Sequence, residues 1–342
     1  MRILITVNHP AHVHFFRLIF DEIKSIGHEA TILATDKENS FELLDQMDIE
    51  YVSIGKHKPS PLTKILNIPF RWIRIFYLCL KHKPDIAIGI ADFYIAQISK
   101  ILRFSSIVLT DTEHVRHDKY LTFPFADYVL TPKCFSKKIG ENHISYDGYH
   151  EMTYLGPEFT PNREILDLCK IKEGERFVLI RLVAWNAAHD IGYSGLSEDE
   201  LNKIIMFLEV NHKVLISSEK KLPHHLDRYK IDIPFKDIHH LLYFSEMYIG
   251  EGATMASEAA LLGTPAIYLN ELKVGYLDEL SKEFKIVFIP KTIDEVLSSI
   301  NEISTNGRNY YRSIRNNILS SKTNPNKFII SFIERLKDRK CS

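Results

Sequence analysis

No stretch of about 18 uncharged apolar residues occurs among these 342 residues, so nothing in the sequence is built to span a bilayer. Nor is there a charge excess. The 43 Lys and Arg are balanced by 44 Asp and Glu, and without a basic surplus a nucleic-acid binder is disfavoured. Cysteine is scarce and scattered: Cys79, Cys134, Cys169 and Cys341 make no Cys-x-x-Cys pair. That excludes a disulfide framework and a thiolate metal site, and points to a reducing, cytoplasmic compartment. The opening Met1–Val7 is far too short for the apolar core of a leader peptide and reads as a strand. What is present is apolar material, 45% of the chain with 11% aromatic. That is ample to bury a core, and it excludes a disordered chain. Histidine is plentiful at 16, several of them clustered.

Short β-rich runs alternate with helical periodicity throughout. The first half predicts strands at Arg2–Val7, Glu29–Ala34, Glu50–Ser53, Asp85–Gly89, Ser106–Thr110 and Asp127–Thr131. The clearest helix is Val13–Ile26, closed by Gly27. Turn-like clusters at Thr160-Pro161-Asn162 and Glu173-Gly174-Glu175 place a linker within Met152–Gly174. A second series follows, with strands at Arg176–Leu182, His212–Ser217, Glu246–Ile249, Pro265–Leu269 and Lys285–Ile289. Strands separated by helices imply right-handed crossovers and parallel sheets. The expected architecture is α/β: two Rossmann-like, doubly wound domains facing a cleft. The first covers residues 1–155, completed by a C-terminal helix at 325–342, and the second covers 175–324.

The most specific motif lies in Ser245–Leu269. A strand ends at Gly250, the turn Glu251-Gly252-Ala253 follows, a helix opens near Thr254 and stops at Gly263, and Pro265 begins the next strand. Small residues at such a turn let backbone N–H groups approach a diphosphate, whose charge a helix N-terminus favours. Glu258 lies one helical turn beyond Thr254, where a carboxylate can accept both hydroxyls of a ribose. A plain crossover with small residues for close packing explains the glycines equally well, but not the polar Thr254 and Glu258.

The pattern Gly-x-Gly-Ala-Thr-x-x-x-Glu-Ala-x-x-x-Gly-x-Pro resembles the C-terminal signature of GT-B nucleotide-sugar enzymes, among them UDP-N-acetylglucosamine 2-epimerase and the N-acetylglucosaminyl transferase that makes lipid II. With His9-Pro10-Ala11-His12-Val13-His14-Phe15-Phe16 and Asp111-Thr112-Glu113-His114, it also makes the whole chain similar to the domain of unknown function 354 family. The resemblance implies that Gly252, Ala253 and Thr254 hold the diphosphate of a UDP-sugar and that Glu258 holds the uridine ribose. Metal-dependent glycosyltransferases of the other main fold use an Asp-x-Asp pair to hold a cation on the diphosphate. None occurs here, so a metal-free mechanism without cofactor is expected, with helix dipole and basic side chains in the cation's place.

Two polar turns belong to the first half. Asn8–His14 follows the first strand, at the sheet edge where ligands bind, and His12 is the general-base candidate for an acceptor hydroxyl. His9 and His14 are read as capping or packing. Asp111-Thr112-Glu113-His114 follows the fifth strand, supplying Asp111, Glu113 and His114 as further catalytic candidates. Glu113 matches the place of a carboxylate in the epimerase. The following His114-Val115-Arg116 departs from that enzyme's Ala-Gly-Leu-Arg and argues against epimerase chemistry. In the second half, Arg181, Trp185 and His189 sit in the loop after its first strand, where Arg181 or His189 can neutralise a diphosphate and Trp185 can line a sugar pocket.

The expected function is a metal-independent glycosyltransferase with a UDP-sugar donor and a glycan or lipid-linked acceptor, in surface polysaccharide or glycolipid assembly. An epimerase or a non-catalytic nucleotide-sugar-binding module is the alternative. The segment Leu62–Lys81, apolar with Lys64, Arg71, Arg74 and Lys81 as its charges, suits either peripheral contact with the inner face of a membrane or a packed helix broken at Pro69. The packed reading is preferred. His224-His225 and His239-His240 are expected to be surface or capping residues rather than metal ligands.

Overall fold

The computed structural model describes residues 1–37, 40–56, 61–113, 117–183, 196–219, 221–270 and 272–341. In chain order the elements are β1 (Arg2–Val7), α1 (Pro10–Ser25), β2 (Glu29–Asp36), α2 (Ser40–Gln46), β3 (Tyr51–Lys56), α3 (Pro61–His82), β4 (Ile86–Ile90), α4 (Phe93–Leu102), β5 (Ser105–Leu109), α5 (Asp118–Leu121), β6 (Tyr128–Pro132) and β7 (His143–Tyr146). There follow α6 (Glu164–Leu168), β8 (Phe177–Leu182), α7 (Glu198–Leu208), β9 (Lys213–Ser218), α8 (Ile238–Phe244), β10 (Tyr248–Gly250), α9 (Ala253–Leu261), β11 (Ala266–Tyr268), α10 (Gly275–Lys282), β12 (Val287–Phe288), α11 (Ile293–Ser321) and α12 (Pro325–Cys341).

These elements form two compact units. One comprises Met1–Tyr154 with Thr323–Ser342, the other Leu155–Lys322. The first holds a seven-stranded sheet in the order β3-β2-β1-β4-β5-β6-β7, and all its pairings are parallel. Parallel sheets are covered on both faces, and β1 shows why successive residues, Ile3 to Ile5, are all apolar. Ile3, Ile5 and Val7 point into one layer with Phe16, Ile19 and Ile23 of α1 and Ile329 and Ile333 of α12. Leu4 points the other way, into a layer with Ile75 and Cys79 of α3 and Ile95 and Ile98 of α4. Burying each such side chain contributes about 1.5–3 kcal/mol.

The returning helix α12 is fastened near a short turn of 3₁₀ helix at His150–Thr153. Asn326 Nδ2 donates to the Thr153 carbonyl at 2.7 Å, and Thr323 N–H donates to the Asp147 carbonyl. Gly148 is required there, because a Cβ would lie 2.4 Å from the Thr323 carbonyl oxygen.

The second unit has a five-stranded parallel sheet in the order β12-β11-β10-β8-β9. Its α9 buries Ala256, Ala259 and Ala260 completely, so small side chains bring this helix close to the sheet. The helix ends with Gly263 at φ +76°, a left-handed position that favours glycine.

Strand order reverses between β1 and β4 in the first unit and between β8 and β10 in the second. Ligands of open parallel sheets bind at the carboxyl ends of strands flanking such a point. Each unit therefore presents one edge at which function is to be sought.

Helix α3 departs from the sequence expectation twice. It runs unbroken through Pro69, which costs roughly 3 kcal/mol in a helix interior. Pro69 is solvent-exposed, so water can reach the carbonyl that the missing N–H leaves over. The preferred packed reading holds for one face of the helix only. Ile75, Leu78 and Cys79 are buried, but Leu66, Phe70, Ile73 and Tyr77 are each more than 60% exposed.

Candidate functional site

In the second unit the edge between β8 and β10 is shaped by a glycine turn. Gly250 pairs with Arg181 across the two strands, and a Cβ at Gly250 would sit 2.4 Å from the Tyr248 hydroxyl and 2.8 Å from the Arg181 carbonyl. Glycine is therefore obligatory for close packing. At Gly252 the situation reverses: among the described residues a Cβ would meet nothing nearer than 3.7 Å, so these leave the turn open. Gly252 is the N-cap of α9 and offers no side chain to cap it. The first N–H groups of Ala253, Thr254 and Met255 thus carry the positive end of the helix dipole uncovered by a cap. Thr254 is exposed at this end. Beneath the turn, the fully buried Tyr248 hydroxyl lies against the Gly252 backbone and has no other partner among the described residues. Burial pushes this phenol above its ordinary range, so it stays neutral and can donate.

Glu251 braces the turn. Its buried carboxylate accepts from Val183 N–H at 3.1 Å and Leu196 N–H at 2.9 Å, which ties both flanks of segment 184–195 to the glycines. Trp185 and His189 fall inside that segment, outside the described residues. Arg181 sits at the same edge, but its guanidinium is engaged, with Nη1 on Ser217 Oγ and Nη2 on Glu219 Oε1, both at 2.6 Å.

Glu258 is buried one turn into α9, and its Oε1 lies 2.9 Å from His239 Nε2. Each of these side chains is only 6% exposed. The expectation that His239 is a surface or capping residue is thereby corrected. Helix α8 packs it against α9, where a buried carboxylate needs a partner. Its neighbour His240 stacks on Phe159 and accepts from Asn162 N–H, while His224 is fully exposed.

In the first unit, the ends of β1, β2 and β4 are knotted by Asn8. Its Nδ2 donates to Asp92 Oδ2 at 3.0 Å, and its Oδ1 accepts from Thr35 Oγ1 at 2.9 Å. Asp92 in turn caps α4 through Tyr94 N–H and Ile95 N–H. His9 is the N-cap of α1, its Nδ1 accepting from Ala11 N–H, and His14 packs on Tyr154. His12 Nδ1 faces Asn8 N–H at 3.4 Å. An acceptor role at Nδ1 leaves the ring proton on Nε2, so His12 presents a donor. Burial first, then the proximity of His9, Lys37 and His150, holds its pKa well below the usual imidazole value, against the opposing pull of Asp111.

Asp111 meets a residue that sequence reasoning did not single out. Its Oδ2 lies 3.2 Å from His150 Nδ1, and its Oδ1 accepts from Thr112 Oγ1. Burial alone would raise the Asp111 pKa, but the His150 ring and these hydrogen bonds outweigh it and hold the carboxyl below its ordinary value. With Nδ1 donating to a carboxylate, His150 keeps its lone pair on Nε2, which is buried and has no hydrogen-bond partner among the described residues. Phe15 packs edge-on to this ring and Tyr146 lies parallel to it. Glu113 does not join them: its Oε1 accepts from Ser136 N–H, and Lys137 Nζ donates to its carbonyl. His114 lies outside the described residues. Among those described, no three His, Cys, Asp or Glu side chains converge to hold a metal ion.

The lowered His12 pKa fixes a sign. Between the folded value and the ordinary 6.5, the unfolded chain binds a proton that the folded one refuses. This contribution to stability is present above about pH 6.5 and is lost as pH falls below it. The melting temperature is expected to fall between about pH 7.5 and pH 5.5, and His12→Gln to flatten that slope. A slope identical in the variant would contradict the half-buried, neutral imidazole.

The profile of the family described as protein of unknown function (DUF354) matches residues 1–319. An uncharacterized protein of Methanocaldococcus jannaschii is 24% identical over 274 residues, covering 77% of this chain and 80% of that protein. Among solved structures, UDP-GlcNAc 2-epimerase from Neisseria meningitidis, bound to UDP-GlcNAc, is similar at TM-score 0.70 and 12% identity, covering 98% of this chain and all of that one. The spinosyn rhamnosyltransferase SpnG is similar at TM-score 0.64 and 12% identity, with coverage of 98% and 100%. The fold is that shared by epimerases and GT-B glycosyltransferases acting on nucleotide sugars.

Proposed function

The chain belongs to the family of unknown function DUF354, and we propose that it is a metal-independent GT-B-type glycosyltransferase. Its donor is a UDP-sugar and its acceptor a glycan or lipid-linked saccharide, in surface polysaccharide or glycolipid assembly. The observation that carries this reading is the open, uncapped N-terminus of α9 with the buried Tyr248 hydroxyl beneath it and Glu258 one turn on. The diphosphate sits on the backbone N–H groups from Gly252 to Thr254, and Glu258, oriented by His239, accepts the ribose hydroxyls. The helix end does the work a cation does elsewhere. Arg181, Trp185 and His189 are assigned to the donor as well, the last two carried on the segment that Glu251 anchors at both flanks.

The first unit supplies the acid–base chemistry. The Asp111–His150 pair takes up the proton of the acceptor hydroxyl as its oxygen bonds to the anomeric carbon. The bond from that carbon to the diphosphate oxygen breaks, and its electron pair leaves with UDP. Asp111 stabilises the imidazolium that results. His12 donates from Nε2 to a substrate oxygen, and Glu113 holds the loop through Ser136.

Transfer is favoured over epimerisation because the carboxylate matched to the epimerase, Glu113, is directed at a backbone N–H, whereas Asp111 and His150 offer a formed base. Product analysis separates the two. The full chain, incubated with a panel of UDP-sugars in deuterated buffer, is expected to release UDP only when a saccharide acceptor is added. Deuterium appearing at sugar carbon 2 without acceptor would overturn transfer in favour of epimerisation, and UDP-dependent stabilisation without either product would leave a binding module.

A further inference from the structure

We propose that the exposed face of α3 is a docking surface for an anionic lipid layer. Leu66, Phe70, Ile73, Tyr77 and Leu80 are 61%, 72%, 61%, 64% and 48% exposed. Their spacing of four, three, four, three puts all five on one side of the helix. The opposite side is already in use, with Ile75, Leu78 and Cys79 buried against β1, β2 and α4. The stripe is therefore additional to what the core requires. Five large apolar side chains in one row exceed the scattered exposure of an ordinary surface.

The patch continues sideways. An open groove of about 630 Å³ runs beside α3, lined by Ile68, Trp72, Phe93 and Leu121 among others. Its wall is almost wholly apolar, and Tyr120 and Leu121 beside it are themselves exposed. A groove of this kind suits an acyl chain lying along a helix.

Charge selects the occupant. The 22 residues of α3 contain Lys64, Arg71, Arg74 and Lys81 and not one Asp or Glu. Arg74 and Lys81 are exposed and each follows directly on a stripe residue, so they border the apolar row. A second copy of the chain, pairing stripe to stripe, would face these cations with the same cations and bring no carboxylate from α3 to meet them. A layer of anionic headgroups neutralises them while the apolar side chains enter the acyl boundary. No described helix is long and apolar enough to cross a membrane, so the contact is interfacial.

The test is co-sedimentation of the full chain with vesicles of phosphatidylcholine alone or with about one-third phosphatidylglycerol. Neither nucleotide nor sugar is present, so the result is independent of the proposed reaction. The protein is expected to pellet with the anionic vesicles and to be released by raised salt. The double variant Ile73→Asp/Tyr77→Asp is expected to weaken binding about tenfold or more, and Arg74→Glu/Lys81→Glu to abolish the preference for phosphatidylglycerol. All four side chains are exposed, so an unchanged melting temperature shows that each variant is folded. Absence of binding to either vesicle would overturn the proposal, as would equal binding by the folded variants. A wild-type dimer that Tyr77→Asp dissociates, with vesicles ignored, would assign the stripe to a second copy instead.

Discussion

Replacing His150 by Asn is expected to lower acceptor-dependent turnover by about 10²- to 10⁴-fold and to leave the UDP-induced rise in melting temperature in place. The asymmetry follows from where the residue sits. His150 belongs to the first unit and donates its Nδ1 proton to Asp111, 3.2 Å away. Nucleotide binding is assigned to α9, in the second unit. Asn keeps a donor toward Asp111 but has no basic lone pair to offer the acceptor. Asp111→Asn attacks the same function from the other side: the ring loses the acceptor that fixes its tautomer, and Nε2 ceases to be the basic nitrogen. The two losses are expected to be non-additive, because both variants disable one unit. Undiminished turnover in His150→Asn would return the assignment to His12.

Glu258→Gln is expected to remove UDP binding almost completely. A carboxylate receiving two ribose hydroxyls makes charge-assisted bonds of about 1.5–3 kcal/mol each, so affinity falls by about 10²-fold or more at 1.4 kcal/mol per decade. At UDP a hundredfold above the wild-type dissociation constant, the ligand stabilises by about 2.7 kcal/mol. After a hundredfold loss of affinity the same concentration stabilises by only about 0.4 kcal/mol, and the thermal shift nearly vanishes. Gln keeps the volume and an oxygen toward His239, which makes it a better probe than Ala. Truncation to Ala would leave His239 buried without its acceptor, a penalty of about 1–3 kcal/mol, and would mix instability with lost binding. His239→Gln completes the argument, since it retains the charge but loosens its orientation and should weaken UDP by a smaller factor. A Glu258→Gln protein with undiminished shift would mean that the nucleotide lies elsewhere.

Much of the fold was legible because parallel strands covered on both faces carry runs of consecutive apolar residues and are punctuated by polar turns. Arg2–Val7 and Ser106–Thr110 declare themselves this way, and the Gly250–Pro265 block carries its own start and stop signals. β7 was missed. It is four residues long, His143–Tyr146, with a single aliphatic residue, so neither hydrophobic run nor alternation marks it. His150 was missed with it, because a titratable residue gains its meaning from what lies across space, and Asp111 is 39 positions away in the chain. A polar Asp147-Gly148 turn leading into Tyr149-His150-Glu151 was the available hint, being the same strand-end pattern that drew attention to Asp111. His239 was illegible for a related reason. Side by side with His240 it looks like a solvated pair, and only the packing of α8 on α9 separates the buried ring from its stacked neighbour. For α3 the composition was ambiguous by nature, since an apolar helix with a few cations satisfies a core and a lipid surface alike, and exposure alone distinguishes them.

The return of α12 to the first sheet carries a consequence for biogenesis. Translation delivers the seven strands of that sheet early, yet the layer that receives Ile329 and Ile333 stays open until α12 has emerged. The contiguous unit from Leu155 to Lys322 is finished on the ribosome sooner than the segment that precedes it. His150 rides on the turn that Asn326 clasps, so the setting of this side chain is completed only after the whole second unit has been made.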